Sequence, residues 1–347
     1  MSLDEVSLAK DRQRKSVTLK DVSEAAGVSL ITVSRALRQP DTVTPATRQR
    51  VHEAINATGY VPNLMARALV SSRSNIVGLA VPTISASLFA DLAELLAKVL
   101  QEHGKHLLLG IYDWSPEKEY DVVTTFMGRQ ADALVLTGYS HSAELRQRLE
   151  RFDGPIVEMG SIRAKPIDMG VGFDNFAAAA EMTRHLIDRG YRKIALVHGS
   201  TENNDQAAER YQAFRTVMRE AGFSVDDGHI ISVPTPTTME QGHAAMFELL
   251  DSPRPPDAVF FQTDNLAHGA MMACLSRGVA VPAGVAIAGF GDLAMSALLP
   301  VPLTTVKARL EAHGREAASL ILTRLRGERP ISPVHDVGYE LLIREST

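Results

Sequence analysis

Two series of short apolar runs, each run followed by an amphipathic stretch, occupy the chain from Ile76 onward and restrict its fold more than any other feature. "IVGLAV" precedes "FADLAELLAKVLQEHG", "HLLLGI" precedes "EKEYDVVTTFMGRQ", and "ALVLTG" precedes a helical pattern reaching about Phe152, before "PIVEM". After Val171-Gly172-Phe173 the alternation restarts with "NFAAAAEMTRHLIDRG", "KIALVHG", "ERYQAFRTVMREAG", "MEQGHAAMFELL", "AVFFQT", "NLAHGAMMACLSRG" and "VAIAGF". An unbroken apolar run is a strand buried on both faces, and strands separated by helices lie parallel. Two such series predict an α/β body of two doubly wound subdomains with parallel sheets. Ligands are expected in the cleft between them, at the carboxyl ends of the strands. At 347 residues and 45% apolar content, the chain has enough material for two or three compact units.

Several classes are excluded early. The single cysteine, Cys274, rules out a disulfide framework and a cysteine-rich metal site, and its helical surroundings suit a small buried thiol. The opening "MSLDEVSLAKDRQRKS" has no apolar core of signal-peptide length, and no run of about 18 apolar residues follows anywhere, so a cytoplasmic chain is expected. Charge is divided unevenly: residues 1–75 carry a net +4 and the remainder −9. A basic leading unit on an acidic body is the footprint of nucleic-acid binding, or a solvated face.

The first 60 residues follow another period. Thr18 with Asp21 three residues on reads as a helix N-cap, and Leu19, Val22 and Ala26 form one apolar stripe. Gly27 stops that helix, Val28 turns inward, and Ser29 caps a second helix carrying Val33, Ala36 and Leu37 at helical spacing. Thr44 and Pro45 open a third, with Val51 and Ile55 inward and Gly59 at its left-handed end. Three short helices around a few apolar side chains predict a helix-turn-helix unit, whose second motif helix presents its first residues to the major groove of DNA.

In order and spacing, "VTLKDVSEAAGVSLITVSRAL" and then "VTPATRQRVHEAINATGYVPNLMARAL" resemble the headpiece and hinge of the lac-repressor-like (LacI/GalR) transcriptional regulators. The tail from "LTTVKARLEAHG" to "REST" resembles the closing helix and terminus of that family, so the likeness spans almost the whole chain. It implies a homodimer on a pseudo-palindromic double-stranded DNA operator. It also implies a helix-turn-helix headpiece over residues 1–60, a hinge helix and linker over 61–75, and an effector-binding and dimerisation domain over 76–347. That last domain is built like a periplasmic binding protein, its chain crossing between subdomains near 173, 303 and 333. On the family pattern Leu30 and Ile31 enter the major groove first, and Arg35 reaches a base edge one turn later. Arginine can pair bidentately with guanine, whereas an apolar pair touches only thymine methyls and shape. Packing in the small core remains the other reading of Leu30 and Ile31, and a phosphate contact that of Arg35. Ser29, Thr32, Ser34 and Tyr60, with Thr18, are placed on phosphates and register. Asn63 caps the implied hinge helix, which carries Arg67 and wedges Leu69 into the minor groove; a plain connector is the alternative. Ser23 departs from the usual alanine and puts a hydroxyl at a close helix contact.

No Gly-rich phosphate loop, nucleophile elbow or paired-histidine signature appears, and the eleven histidines show no ligand spacing. No catalysis, cofactor or metal is expected. His141, His198 and His243 are placed near cleft edges as hydrogen-bonding or surface residues. Candidate effector contacts sit at strand ends: Thr83, Ser85 and Phe89 after the first, Tyr139 after the third, and Asp174 at the start of the fifth helix. Thr263 and Asp264 end "AVFFQT", and Asp292 follows "VAIAGF". Hydroxyls and carboxylates around a cleft suit a small polyhydroxylated ligand. By resemblance, Arg210 of "ERYQAFR" matches the arginine that binds effector hydroxyls or carboxylates across the family; a surface salt bridge is its other reading.

Three departures bear on the ligand. Gly291 and Thr263 stand where many relatives carry an aspartate and an asparagine, and no aromatic stands near Thr237, where a ring-stacking side chain is common. Without a flat platform, an open-chain acid paired bidentately with Arg210 is favoured. "PTISASLFADL", "VEMGS" and "MGVGFDNFAAAAEMT" further resemble the gluconate-repressor branch, so the expected effector is gluconate or a close sugar acid. A neutral-sugar or nucleoside effector, a corepressor and, from another class, a solute-binding protein stay open.

Overall fold

The computed structural model describes residues 17–61, 73–85, 87–223 and 229–347. The chain divides into two compact units, Met1–Ser72 and Arg73–Thr347.

In the first, α1 (Leu19–Ala26), α2 (Leu30–Arg38) and α3 (Pro45–Thr58) close around Val22, Val33 and Val51 with three alanines. Each buried valine contributes about 1.5–3 kcal/mol, so this unit depends on its helix caps, at about 1 kcal/mol each. The Thr18 N–H and hydroxyl both donate to Asp21 Oδ2 at 2.7 Å. Ser29 accepts from the Thr32 N–H at 3.2 Å, and Thr44 from that of Thr47 at 3.3 Å. Gly27 ends α1 at φ +60°, where a side chain would strain the turn. Across that turn the Ser23 hydroxyl donates to the Val28 carbonyl at 2.7 Å, so the hydroxyl expected to crowd a helix contact ties the turn instead.

The second unit holds two six-stranded sheets. One runs in the order β11 (Val334–Asp336), β5 (Met169–Phe173), β4 (Ile156–Ser161), β3 (Ala133–Thr137), β1 (Ile76–Val81) and β2 (His106–Ile111), all parallel. The other runs β12 (Tyr339–Leu342), β10 (Thr304–Ala308), β9 (Ala286–Phe290), β8 (Ala258–Phe261), β6 (Ile194–Gly199) and β7 (Ile230–Val233); only β12 is antiparallel. Apolar clusters fill both faces of each sheet, as doubly covered parallel strands require.

The chain passes between the two lobes after Phe173, after Ala308 and between Asp336 and Tyr339. The second and third passages fall later than the expected 303 and 333. The cause is pairing: β10 stays in its sheet through Ala308 to meet β12, and β11 pairs with β5 through Asp336. In the second lobe α9 (Met239–Leu250) and α10 (Asp264–Arg277) approach backbone to backbone at Gly242 and Gly269. A Cβ at either would overlap the main chain of the other helix, at Leu266 or Met239. Cys274 is buried in α10, and burial pushes its thiol up to about 11. Among the described residues no helix is long and apolar enough to cross a membrane.

Candidate functional site

The outer face of α2 offers one surface. Leu30 is 46% exposed and Ile31 65% exposed, and neither enters the headpiece core, which removes the core-packing reading of this pair. With Leu19, Ser34, Arg35 and Arg38 they border a shallow depression. Arg35 is exposed, and among the described residues it enters no ion pair. The Ser29 and Thr32 hydroxyls stand 2.9 Å apart at the start of α2, and Tyr60 lies half-buried against the core. Apolar side chains in the first turn of a helix, followed by arginines in its last turn, give a face that matches thymine methyls and guanine edges.

The second site is the cleft between the lobes. It leaves about 1050 Å³, counting the part open to solvent, and its walls are strand ends: Tyr112 after β2, Thr137 on β3, Gly199 on β6, Gln262 after β8 and Phe290 on β9. One wall is α8 (Asp205–Glu220). Its Asp205 Oδ2 accepts from the Tyr139 N–H of the other lobe at 3.1 Å, and Glu209 accepts from the Ser161 hydroxyl at 2.9 Å. Burial pushes the Glu209 carboxyl up to about 7, with Asp205 adding to the rise. Arg210 lies over the Phe290 ring at 4.5 Å, and its Nη1 donates to Asn175 Oδ1 at 3.3 Å. Its Nε is buried without a partner among the described residues. Burial lowers its pKa to about 10, so it stays a cation at neutral pH. Phe89 and Trp114 meet edge to face at 6.5 Å on the other wall.

Comparison with known proteins addresses both sites. The family model "Bacterial regulatory proteins, lacI family" matches residues 18–63, and "Periplasmic binding protein-like domain" matches 183–347. HTH-type transcriptional regulator GntR of Pseudomonas aeruginosa is 34% identical over 330 residues, which is 95% of each chain. The chain belongs to the LacI family. HTH-type transcriptional repressor CytR of Escherichia coli is 31% identical over 97% of this chain and 98% of its own. A LacI-family regulator from Silicibacter pomeroyi superposes with a TM-score of 0.89 at 29% identity, over 95% of this chain and 99% of that one. The protein is therefore a DNA-binding transcriptional regulator and not an enzyme.

For this LacI-family cleft, four of the nine expected effector residues line the walls: Phe89, Arg210, Thr263 and Asp264. Asp264 is already engaged. It accepts from the Ser296 and Thr305 hydroxyls and the Leu293 N–H, at 2.6, 2.7 and 2.9 Å. The other five are turned elsewhere. Thr83 is buried, its hydroxyl accepting from the N–H of exposed Ser85 within one turn. Tyr139 donates its hydroxyl to the Ser161 carbonyl at 2.8 Å, and Asp174 caps α7 (Asn175–Asp188) through the Ala177 N–H. Asp292, at φ +51°, pairs with Arg344 at 2.6 Å. Among the described residues no histidine lines the cleft. His141 is held between Glu119 at 2.8 Å and Glu158 at 3.4 Å, His198 meets the Tyr211 ring at a tilt of 47°, and His243 meets that of Phe247 at 53°. Asn63, Arg67 and Leu69 lie outside the described residues.

The expected lack of a flat platform is overturned by Trp114. Asp113 and Trp114 both take left-handed backbone, φ +50° and +55°, and this reversal after β2 brings the indole to the cleft wall. Sequence reasoning also missed Gln262, Asn203 and Gln206, which line the cleft. A lone tryptophan just past a strand end, in "YDWSP", was the available signal for the first.

Proposed function

We propose that this LacI-family regulator is a homodimeric repressor whose operator binding is controlled by gluconate or a closely related sugar acid held in the cleft. In this reading residues 1–60 contact DNA, 61–75 form the hinge, and 76–347 sense the effector and dimerise. Leu30, Ile31 and Arg35 enter the major groove. The observation that carries the effector assignment is Arg210, a cation in the cleft wall with a buried, unpartnered Nε and no carboxylate within ion-pair distance among the described residues. A ligand carboxylate supplies the anion and the acceptors that guanidinium needs. Amide and hydroxyl side chains around it, such as Asn203, Gln206 and Thr237, suit a polyhydroxylated chain.

Trp114 favours a second reading, a ring-bearing neutral sugar or nucleoside that stacks on the indole. Calorimetric titration of the protein with gluconate, 2-ketogluconate, 6-phosphogluconate and glucose separates the two. Saturable binding of one acid, lost in Arg210→Ala while operator affinity is retained, supports the sugar acid. Binding of glucose alone, or silence from all three acids, overturns it in favour of the ring-bearing ligand. The coupling is reciprocal, so the acid that weakens operator binding must itself bind more weakly to the operator complex.

A further inference from the structure

Among the described residues, buried side-chain polar atoms without a hydrogen-bond partner fall at two places in the body, the His141–Glu158 pair and the cleft wall, where Arg210 Nε and the Gln262 carboxamide lie. Gln262 is 1% exposed, lines the cleft, and has neither Oε1 nor Nε2 hydrogen-bonded among the described residues. Its main chain is fixed, since its N–H donates to the Val197 carbonyl at 2.9 Å and carries it one step beyond the end of β8. A carboxamide offers two donors on Nε2 and two acceptor lone pairs on Oε1. Enclosing it unpaired is costly, whereas any group that both donates and accepts cancels that cost. Neighbouring polar side chains are already engaged: the Thr263 and Thr237 hydroxyls stand 3.0 Å apart, and Asp264 accepts from three donors.

We propose that Gln262 is a specificity-determining residue of the effector cleft, its carboxamide reading a pair of neighbouring hydroxyls on the ligand, one accepting from Nε2 and the other donating to Oε1. The inference rests on the cleft being the effector site. It adds a criterion that Arg210 lacks. A guanidinium holds any carboxylate, whereas a carboxamide is left half-satisfied by a group that only accepts and wholly unsatisfied by an alkyl chain. A hydroxylated acid is thus admitted and a plain fatty acid of the same length is refused.

The test compares the full-length protein with its near-isosteric variant Gln262→Met, each titrated with gluconate, glucose and hexanoate. Gluconate affinity is expected to fall by at least about tenfold, the typical effect of removing one partner from a buried hydrogen-bonded pair, while hexanoate affinity does not fall, because no carboxamide is then left unpaired against the alkyl chain. Unchanged gluconate binding overturns the role of Gln262 and leaves the sugar-acid reading standing. Equal losses on both acids mark a merely structural residue and overturn it as well. Should the wild type bind glucose and not gluconate, the sugar-acid reading falls, and the same tenfold criterion is applied to glucose. Should none of the three bind, the unliganded proteins decide. Removing two unpaired polar atoms is expected to raise the melting temperature by about 2–4 °C, and an unchanged or lower value overturns the proposal.

Discussion

Asp264 is the sharpest place to separate holding the fold from holding a ligand, because it borders the cleft and is fully buried. Its carboxylate ties α10 to β10 through Thr305 and to the loop after β9 through Leu293 and Ser296. Asp264→Ala leaves three donors facing an apolar methyl. A buried donor left unpaired costs about 1–3 kcal/mol, and the three are not equal. The Ser296 hydroxyl can turn to His268 Nε2, 2.9 Å away, whereas the Leu293 N–H is fixed in the main chain. Burial also holds the Asp264 pKa above the ordinary carboxylate range, so part of what the hydrogen bonds contribute already offsets desolvation. A net loss of about 2–4 kcal/mol follows. At about 2–4 °C per kcal/mol, that is a fall in melting temperature of roughly 4–16 °C. Asp264→Asn retains one acceptor oxygen and should lose about half as much. Differential scanning calorimetry of the unliganded variants reads these values, and a saturating effector should still raise the melting temperature of each. If Asp264→Ala melts within a degree of wild type but no longer responds to effector, the carboxylate is a ligand contact and the reasoning fails.

Two further outcomes are expected. Burial alone would lower the pKa of His141, but the hydrogen bond to Glu119 and the Glu158 carboxylate 3.4 Å away raise it to about 9. A histidine whose folded pKa exceeds the unfolded 6.5 contributes stability that is fully present below pH 6.5 and lost as pH rises through 9. Melting temperature should therefore decline across that window, and His141→Gln should flatten the decline; parallel curves would show that the imidazolium is not the cause. On the DNA side, Arg35→Ala should weaken binding to a selected operator by about 1–3 kcal/mol, roughly 5–150-fold, with a smaller loss on random duplex. Equal losses in fluorescence anisotropy would reassign Arg35 to a phosphate.

The headpiece was legible because its signals are local. The caps at Thr18, Ser29 and Thr44, and the left-handed glycines at 27 and 59, act within four residues of themselves. The sheets were legible as apolar runs for the same reason. Cleft geometry was less so, because a strand end fixes where a residue lies but not which way its side chain is drawn. Asp292 was drawn away by Arg344, a partner 52 positions further along, and Tyr139 by a carbonyl 22 positions away. Trp114 was brought in by two successive left-handed residues that no glycine announced. Arg210 of the "ERYQAFR" motif lies on the cleft wall, but Gln262 was passed over for its neighbours Thr263 and Asp264.

The three passages between lobes carry a consequence for synthesis. The first sheet lacks β11, and its flanking helix α11 (Leu310–Leu325), until the chain has built most of the second lobe. On the ribosome, which elongates from the N-terminus, neither lobe can complete its sheet before residue 336 has emerged, whereas every segment of the headpiece core is available once Thr58 is out. A nascent chain thus exposes apolar sheet faces for most of its translation time. A transcript truncated between codons 309 and 333 lacks both β11 and β12 and yields two unfinished lobes rather than one sound lobe, and such a product is one for proteolysis to clear.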